Sequence, residues 1–237
     1  SLTDYAKVHG APFQDNFYFC NGYEFKYYDG TNITAMTGSP SPSNPKYIGV
    51  YTIGNANWLA IAGSTTDAHK SRFSFSDVNA PTTWPTANTY LAGDRDGTVI
   101  TGMKPIPGGW AIFKEKSIFV FSGIPGSGSL RKVVDDMGCM APNTLVSSEG
   151  IIYFVGKRGG KLGLFLFNGS PNVTCLSDSI ESDLNGLKVS ALDDLVGEIY
   201  DNKYYLSGTT SSGIQNNRHF ICYIYRPFLD QGKLYYP

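Results

Sequence analysis

Charged residues are scarce in this chain, and neither sign is in excess. They make up 16% of the 237 residues, against about 25% in typical soluble domains. The formal net charge is −1, whereas proteins that bind nucleic acids or membrane surfaces in a general way are usually basic. No apolar run is long enough to cross a bilayer and no signal peptide is visible, so we expect no membrane partner.

Cysteine and histidine are also few and widely spaced. The chain has 4 cysteines and 3 histidines, and none has the short spacing of a zinc or redox motif. The sequence therefore predicts no metal and no cofactor. Cys20 and Cys222 fall in apolar runs, which favours free buried thiols over a disulfide between them.

Aromatic residues and glycine are abundant, a composition typical of short strands joined by tight turns. Five alternating segments recur along the chain, at 23–30, 71–77, 117–123, 163–169 and 221–227. The first four end in similar turn dipeptides 46 or 47 residues apart, and a polar insertion at 207–219 lengthens the last interval to 57. A period of this length is typical of one β-propeller blade.

Further strands flank each of these segments. A second strand precedes each one as the partner of a hairpin, and weaker strands lie on both sides, including "VSALDD" at 189–194 and "KLYY" at 233–236. The sequence thus predicts an all-β fold, a propeller of five four-stranded blades in a single domain over 1–237. One short helix is expected near 179–187, where Asp178 and Glu181 have capping-box spacing.

Two alternatives remain for the fold. A β-sandwich also has strands at regular spacing, although it does not require self-similar units. A six-bladed ring would result if sequence outside this chain supplied another blade. Because the chain starts at Ser1 without Met and stops in "GKLYYP", we expect it to be a piece of a longer polypeptide.

The stretch "SRFSFSDVNAPTTW" at 71–84 tests for a sialidase-type Asp-box, S-x-D-x-G-x-T-W. Phe75 stands where the motif has serine, no glycine follows at the required place, and Trp84 lies seven residues after Asp77. The motif therefore fails. Asp77 is expected to hydrogen-bond backbone amides of its own turn.

The remaining motifs are weak. "GDRDGT" at 93–98 lacks the acidic residue that would complete a calcium loop, and "GKRGGKLG" at 156–163 is not a P-loop. The latter predicts a basic hairpin tip, in which Lys157, Arg158 and Lys161 could contact a phosphate or an acidic partner. No local set of residues indicates catalysis, so the sequence predicts that the chain is not an enzyme, although propeller enzymes assemble their sites from different blades.

Several stretches taken in order resemble one family. They are "FSD" at 75–77 with Pro81 and Trp84, "ITGMKPIPGGWAIFKEKSIFVFSG" at 100–123, "GCMAPNTLV" at 138–146, "GIIYFVGKRGGKLGLFLFNG" at 150–169 and "LSDSI" at 176–180. This order resembles the propeller region of tail nozzle (tail tubular) and related neck or stabilisation proteins of short-tailed phages, over roughly 58–205. The matching positions look architectural: Phe75, Ser76, Asp77, Trp84, Phe113, Lys114, Gly138, Cys139, Gly169 and Ser177.

The resemblance implies a structural virion protein located in the tail and assembled in the host cytoplasm. Its partners would be other copies in a sixfold ring, the portal or adaptor, and tail fibre proteins. DNA would pass through the ring without specific binding, which the near-neutral charge fits.

Two other functions remain open. A carbohydrate- or receptor-binding propeller would need exposed aromatic rings, whereas most tyrosines and phenylalanines here are predicted to point inward. A glycoside hydrolase would need two carboxylates about 5–10 Å apart across the central channel.

Overall fold

The computed structural model describes residues 7–65, 70–93, 96–210 and 217–224. They form five consecutive antiparallel sheets, each built from strands that follow one another in sequence. Four sheets have four strands, and the fifth has three within the described residues. The prediction of an all-β, five-bladed propeller is confirmed, while the strand predicted at 233–236 lies outside the described residues.

The first three blades contain twelve strands. Blade 1 consists of β1 (His9–Phe13), β2 (Asn16–Cys20), β3 (Phe25–Tyr28) and β4 (Ile33–Ala35). Blade 2 consists of β5 (Tyr47–Ile53), β6 (Ala56–Ala62), β7 (Arg72–Phe75) and β8 (Thr89–Leu91). Blade 3 consists of β9 (Ile100–Ile106), β10 (Gly109–Lys114), β11 (Ser117–Ser122) and β12 (Ser129–Asp135).

The last two blades contain seven described strands and the helix. Blade 4 consists of β13 (Val146–Ser148), β14 (Ile151–Arg158), β15 (Lys161–Phe167) and β16 (Thr174–Cys175). Blade 5 consists of β17 (Val196–Tyr200), β18 (Lys203–Gly208) and β19 (Arg218–Tyr223). The first strands of consecutive blades contact one another from β1 through β17, so they form the inner wall of the propeller.

The core is divided among the seams between blades. Side chains on a strand alternate between two faces, and both faces of a middle blade are buried. On β14, Ile152 and Phe154 pack in the cluster shared with blade 3, whereas Tyr153 and Val155 pack in the cluster shared with blade 5. Similar clusters join blade 1 to blade 2 and blade 2 to blade 3.

The strand predicted at 189–194 is wrong, because this segment is a 3₁₀ helix and the strand begins at Val196. Leu192 and Leu195 are both buried against blade 4. Their spacing of three residues matches the 3₁₀ repeat and not the two-residue repeat of a strand.

The predicted short helix is present as a 3₁₀ turn at Asp178–Ile180 followed by α1 (Glu181–Asn185). No side chain caps either segment. The Ser177 hydroxyl instead accepts a hydrogen bond from the Leu164 amide at 2.9 Å, which joins this segment to β15.

Gly138 and Cys139 connect blades 3 and 4 at a point of close approach. A Cβ atom on Gly138 would overlap the Lys114 carbonyl oxygen. The backbone of Cys139 forms an isolated antiparallel β-bridge with Gly156 of β14. Burial raises the pKa of the Cys139 thiol to about 12. All four cysteines are free; Cys20 is buried and Cys222 is half-buried.

Ser76, Asp77 and Trp84 organise the outer loop of blade 2. The Leu59 amide donates to Ser76 Oγ at 3.0 Å, and Asp77 Oδ1 accepts from the Val78 amide at 2.8 Å. Trp84 reaches across to blade 1, where its ring lies 6.2 Å from that of Phe25. The Asp77 carboxylate therefore stabilises its own turn, and Trp84 packs the loop against the neighbouring blade.

Lys114, at the end of β10, is a fully buried cation at the seam between blades 2 and 3. Its ammonium donates to Asp96 Oδ1 at 2.6 Å and to the Ala92 carbonyl at 2.8 Å. The Gly93 carbonyl at 3.2 Å and the Ser71 hydroxyl at 3.1 Å complete the site. A buried charge is tolerated only when it is paired and hydrogen-bonded, and here every acceptor comes from the segment around β7 and β8.

We expect Lys114→Met to destabilise the protein by about 3 kcal/mol, because it removes the charge that pairs with Asp96 and the donor to the Ala92 and Gly93 carbonyls. Urea unfolding measures the loss. Lys116→Met is the matched control: Lys116 is exposed just beyond the same strand, and its substitution should change stability by about 0.5 kcal/mol or less. Equal effects of the two substitutions would contradict a role for Lys114 at the seam.

Candidate functional site

A groove lies on the seam between blades 2 and 3, where β5 turns into β6 and β9 turns into β10. Its volume is about 380 Å³, within the range of roughly 300–1,000 Å³ typical of ligand sites. It is lined by residues from both blades: Val50, Tyr51, Thr52, Ile53, Pro105, Ile106, Gly108, Gly109, Trp110 and Gly123. The lining is thus mainly apolar, with aromatic rings and glycine backbone.

Trp110 is the largest side chain of this lining. It is only 2% exposed, and its six-membered ring lies against Gly49, where any side chain would overlap it. The indole N–H is buried and has no acceptor in the described part of the chain. A buried donor without a partner costs about 1–3 kcal/mol. Because the indole nitrogen is closed off from solvent, a ligand supplies an acceptor only where the wall of the groove shifts to expose it.

Tyr51 and the glycines shape the opposite side of the groove. The Tyr51 hydroxyl donates to the Gly123 carbonyl at 2.9 Å, which ties β5 to the end of β11. Gly108 and Gly123 have φ values of 75° and 97°, a region that favours glycine. The rim of the groove is therefore backbone, and its peptide groups lie close to any bound molecule.

No sequence signal identified this groove. Tyr51 and Trp110 come from different blades, and each looks like an ordinary strand residue in the sequence. The dipeptide Gly108-Gly109 reads as a hairpin turn. Only the packing of blade 2 against blade 3 brings these residues together.

A second polar feature lies on the inner strands. The His9 ring contacts the Tyr47 ring edge to face at 5.1 Å. Burial, together with the smaller effects of the positive charges of Lys7, Lys104 and Lys46, lowers the pKa of His9 to about 4. His9 is thus a neutral imidazole at neutral pH.

The basic hairpin tip is partly engaged within the chain. Lys161 forms an ion pair with Glu181 at 2.6 Å. The Arg158 guanidinium donates to the Val173 carbonyl at 2.8 Å and lies 5.1 Å from the centre of the Phe165 ring. Lys157 has no hydrogen bond or ion pair within residues 7–65, 70–93, 96–210 and 217–224. A contact between this tip and an acidic partner stays a prediction.

The residues of the family resemblance are spread over three seams and do not form one site. Asp77 and Trp84 lie at the outer loop of blade 2, Gly138 and Cys139 at the junction of blades 3 and 4, and Gly169 in the turn after β15. In the described part of the chain, no group of three His, Cys, Asp or Glu side chains could hold a metal ion. None of the described helices is long and apolar enough to cross a membrane.

No protein-family model and no curated protein matches this chain. Similar solved structures include the extracellular domain of a hybrid two-component system from B. thetaiotaomicron, at 13% identity over 88% of this chain and 27% of that chain, with a TM-score of 0.51. The Bacteroides ovatus xyloglucan PUL GH43B matches at 9% identity over 86% of this chain and 47% of that chain, with a TM-score of 0.40. The Bombyx mori GH32 beta-fructofuranosidase matches at 12% identity over 88% of this chain and 56% of that chain, with a TM-score of 0.41. The chain therefore spans about a quarter of the sensor chain.

These comparisons correct one expectation and leave another open. The prediction that the chain is not an enzyme is contradicted, because the matched structures include two glycoside hydrolases. At such low identities the similarity shows the fold alone, and it assigns no activity or catalytic residue to this chain. The structures named here include no virion protein, so the phage-tail resemblance stays a prediction.

The His9 pKa predicts a specific acid sensitivity. The unfolded state protonates histidine near pH 6.5, whereas folded His9 stays neutral down to about pH 4. Between these values the unfolded state binds more protons, so stability falls as pH falls. His9→Phe keeps a ring against Tyr47 but removes the titrating group. Between about pH 6.5 and 4, we expect it to reduce the slope of the unfolding free energy against pH by up to about 1.4 kcal/mol per pH unit.

Urea unfolding at pH 7.5, 5.5 and 4.5 measures this slope for both proteins. The value at pH 7.5 serves as the internal reference, since His9 is neutral there in both states. An unchanged slope between pH 6.5 and 4 would show that His9 is not held neutral in the folded protein.

Proposed function

We propose that this chain is a carbohydrate-binding β-propeller module and that the groove between blades 2 and 3 is its sugar site. The observation that carries the proposal is the groove of about 380 Å³ that Tyr51, Trp110 and glycine backbone line at the seam. The indole N–H of Trp110 lacks an acceptor in the described residues, so it is a donor for the sugar once the wall of the groove shifts to expose it. The proposal rests on this groove and not on the matched proteins, whose similarity supports the fold alone.

The groove offers both kinds of contact that a sugar needs. A sugar ring presents apolar C–H groups beside hydroxyl groups, so its site combines apolar or aromatic walls with a few placed polar groups. Tyr51, Ile53 and Trp110 provide the apolar lining. The indole N–H and the peptide groups of Gly108 and Gly123 provide the polar contacts, and they carry no charge, which suits a neutral sugar.

A second candidate is the tail-component role implied by the family resemblance. It is favoured by apolar side chains that are exposed on blades 1 and 5. Phe17 pairs with Tyr28, and Tyr28 pairs with Ile33, so these three exposed side chains form one apolar row across blade 1. Tyr200 of blade 5 is 75% exposed. A protein that forms rings with its own copies would use such faces as contacts.

Calorimetric titration with a panel of neutral oligosaccharides tests the first candidate. We expect Trp110→Phe to weaken binding about five- to tenfold, because it removes one donor worth about 1 kcal/mol and keeps an aromatic ring. The matched control is Trp58→Phe, since Trp58 is equally buried in the same cluster but does not line the groove.

Thermal unfolding of both variants verifies that they fold. Binding that is lost equally in Trp58→Phe would show that the groove is not the site. If wild-type protein binds no sugar of the panel and forms a discrete ring in light scattering, the tail-component role is supported instead.

A further inference from the structure

The inner strands of the propeller bring three lysines to one region. The contact between His9 and Tyr47 brings together the starts of the neighbouring strands β1 and β5, where Lys7 lies two residues before His9 and Lys46 directly before Tyr47. Strand β9 contacts β5 and contributes Lys104. The three lysines therefore come from three blades, and each lies close enough to the inner wall to act on the His9 ring.

The local charge is positive, whereas the chain as a whole has a formal net charge of −1. All three lysines act on His9 electrostatically, the Glu198 carboxylate on β17 acts on Lys7 and Lys104, and the Asp193 carboxylate acts on Tyr47. Three ammonium groups thus lie near two carboxylates. This local excess of positive charge is a property of the fold and not of the composition.

Lys104 is the most confined of the three. It is half-buried, and burial lowers the pKa of its ammonium, with Glu198 opposing and Lys7 adding to this effect. Neither Lys104 nor Lys7 has a hydrogen bond or ion pair within the described ranges. Charged groups taken out of water are normally paired, so an ammonium held here without a partner has unused capacity for an anion.

We propose that the inner wall of the propeller is an anion-binding site, which takes a carboxylate or phosphate group with Lys104 as its main contact and Lys7 and Lys46 at its margin. Such oxyanions offer several acceptors, which match the three donors of each ammonium. The site is separate from the groove, because none of these lysines lines it, and the proposal does not depend on sugar binding there.

Calorimetric titration with inorganic phosphate and with acetate, each at about 0.15 M salt to screen exposed charges, tests the proposal. Acetamide is the neutral control, and no probe is a sugar that the groove would bind. We expect wild-type protein to bind phosphate, acetate or both, and not acetamide. Binding of phosphate alone would identify a phosphate site, and binding of acetate alone a carboxylate site.

One substitution that should weaken anion binding and one that should tighten it test the assignment of the site to Lys104. Lys104→Gln should weaken binding at least tenfold, whereas Lys116→Gln, on an exposed turn, should leave it unchanged. Glu198→Gln should tighten binding several-fold, because it removes the carboxylate that competes for the lysines and retains an oxygen that can accept from the Ile199 amide. This gain cannot result from misfolding, so it tests the site even where Lys104→Gln unfolds.

Trp110→Phe should leave anion binding unchanged, which separates this site from the groove. The proposal is overturned if neither anion binds, if Lys116→Gln weakens binding as much as Lys104→Gln, or if Glu198→Gln weakens it.

Discussion

The two-residue period of the β-strand is the constraint on which this structure depends. Every middle blade exposes two apolar faces, so it is stable only when a blade covers it on each side. The alternation of Ile152 and Phe154 with Tyr153 and Val155 on β14 shows this directly, since the two pairs pack in different clusters. Among the described residues, large apolar side chains are exposed most often on blades 1 and 5.

The groove, the Lys114 site and the cluster of inner lysines are consequences of that arrangement. Seams between blades bring together residues that are far apart in sequence, and the groove, the Lys114 site and the inner lysines all lie where blades meet. At the groove, Trp110 lacks an acceptor among the described residues, whereas at Lys114, at the other end of β10, every donor is used. We infer that the Lys114 site stabilises one end of the seam and that the groove at its other end is free to bind.

The fold could be predicted from the sequence because a repeat of 46 or 47 residues is a local and periodic signal. The segment at 189–194 was predicted wrongly because "VSALDD" is compatible with a strand until the burial of Leu192 and Leu195 selects a 3₁₀ helix. The groove and the Lys114 partners could not be predicted, since Lys114 and Ser71 are 43 residues apart. For the same reason the lack of local catalytic motifs was a poor ground for excluding an enzyme.

The central functional claim is that the indole N–H of Trp110 meets a sugar, and an NMR titration tests it most directly. The chain has 3 tryptophans, so a ¹H–¹⁵N spectrum contains three indole signals, which Trp→Phe variants assign. On addition of a sugar that binds, the account predicts that the Trp110 indole signal shifts, while those of Trp58 and Trp84 stay in place. A saturating sugar that leaves the Trp110 indole signal unchanged would contradict the account.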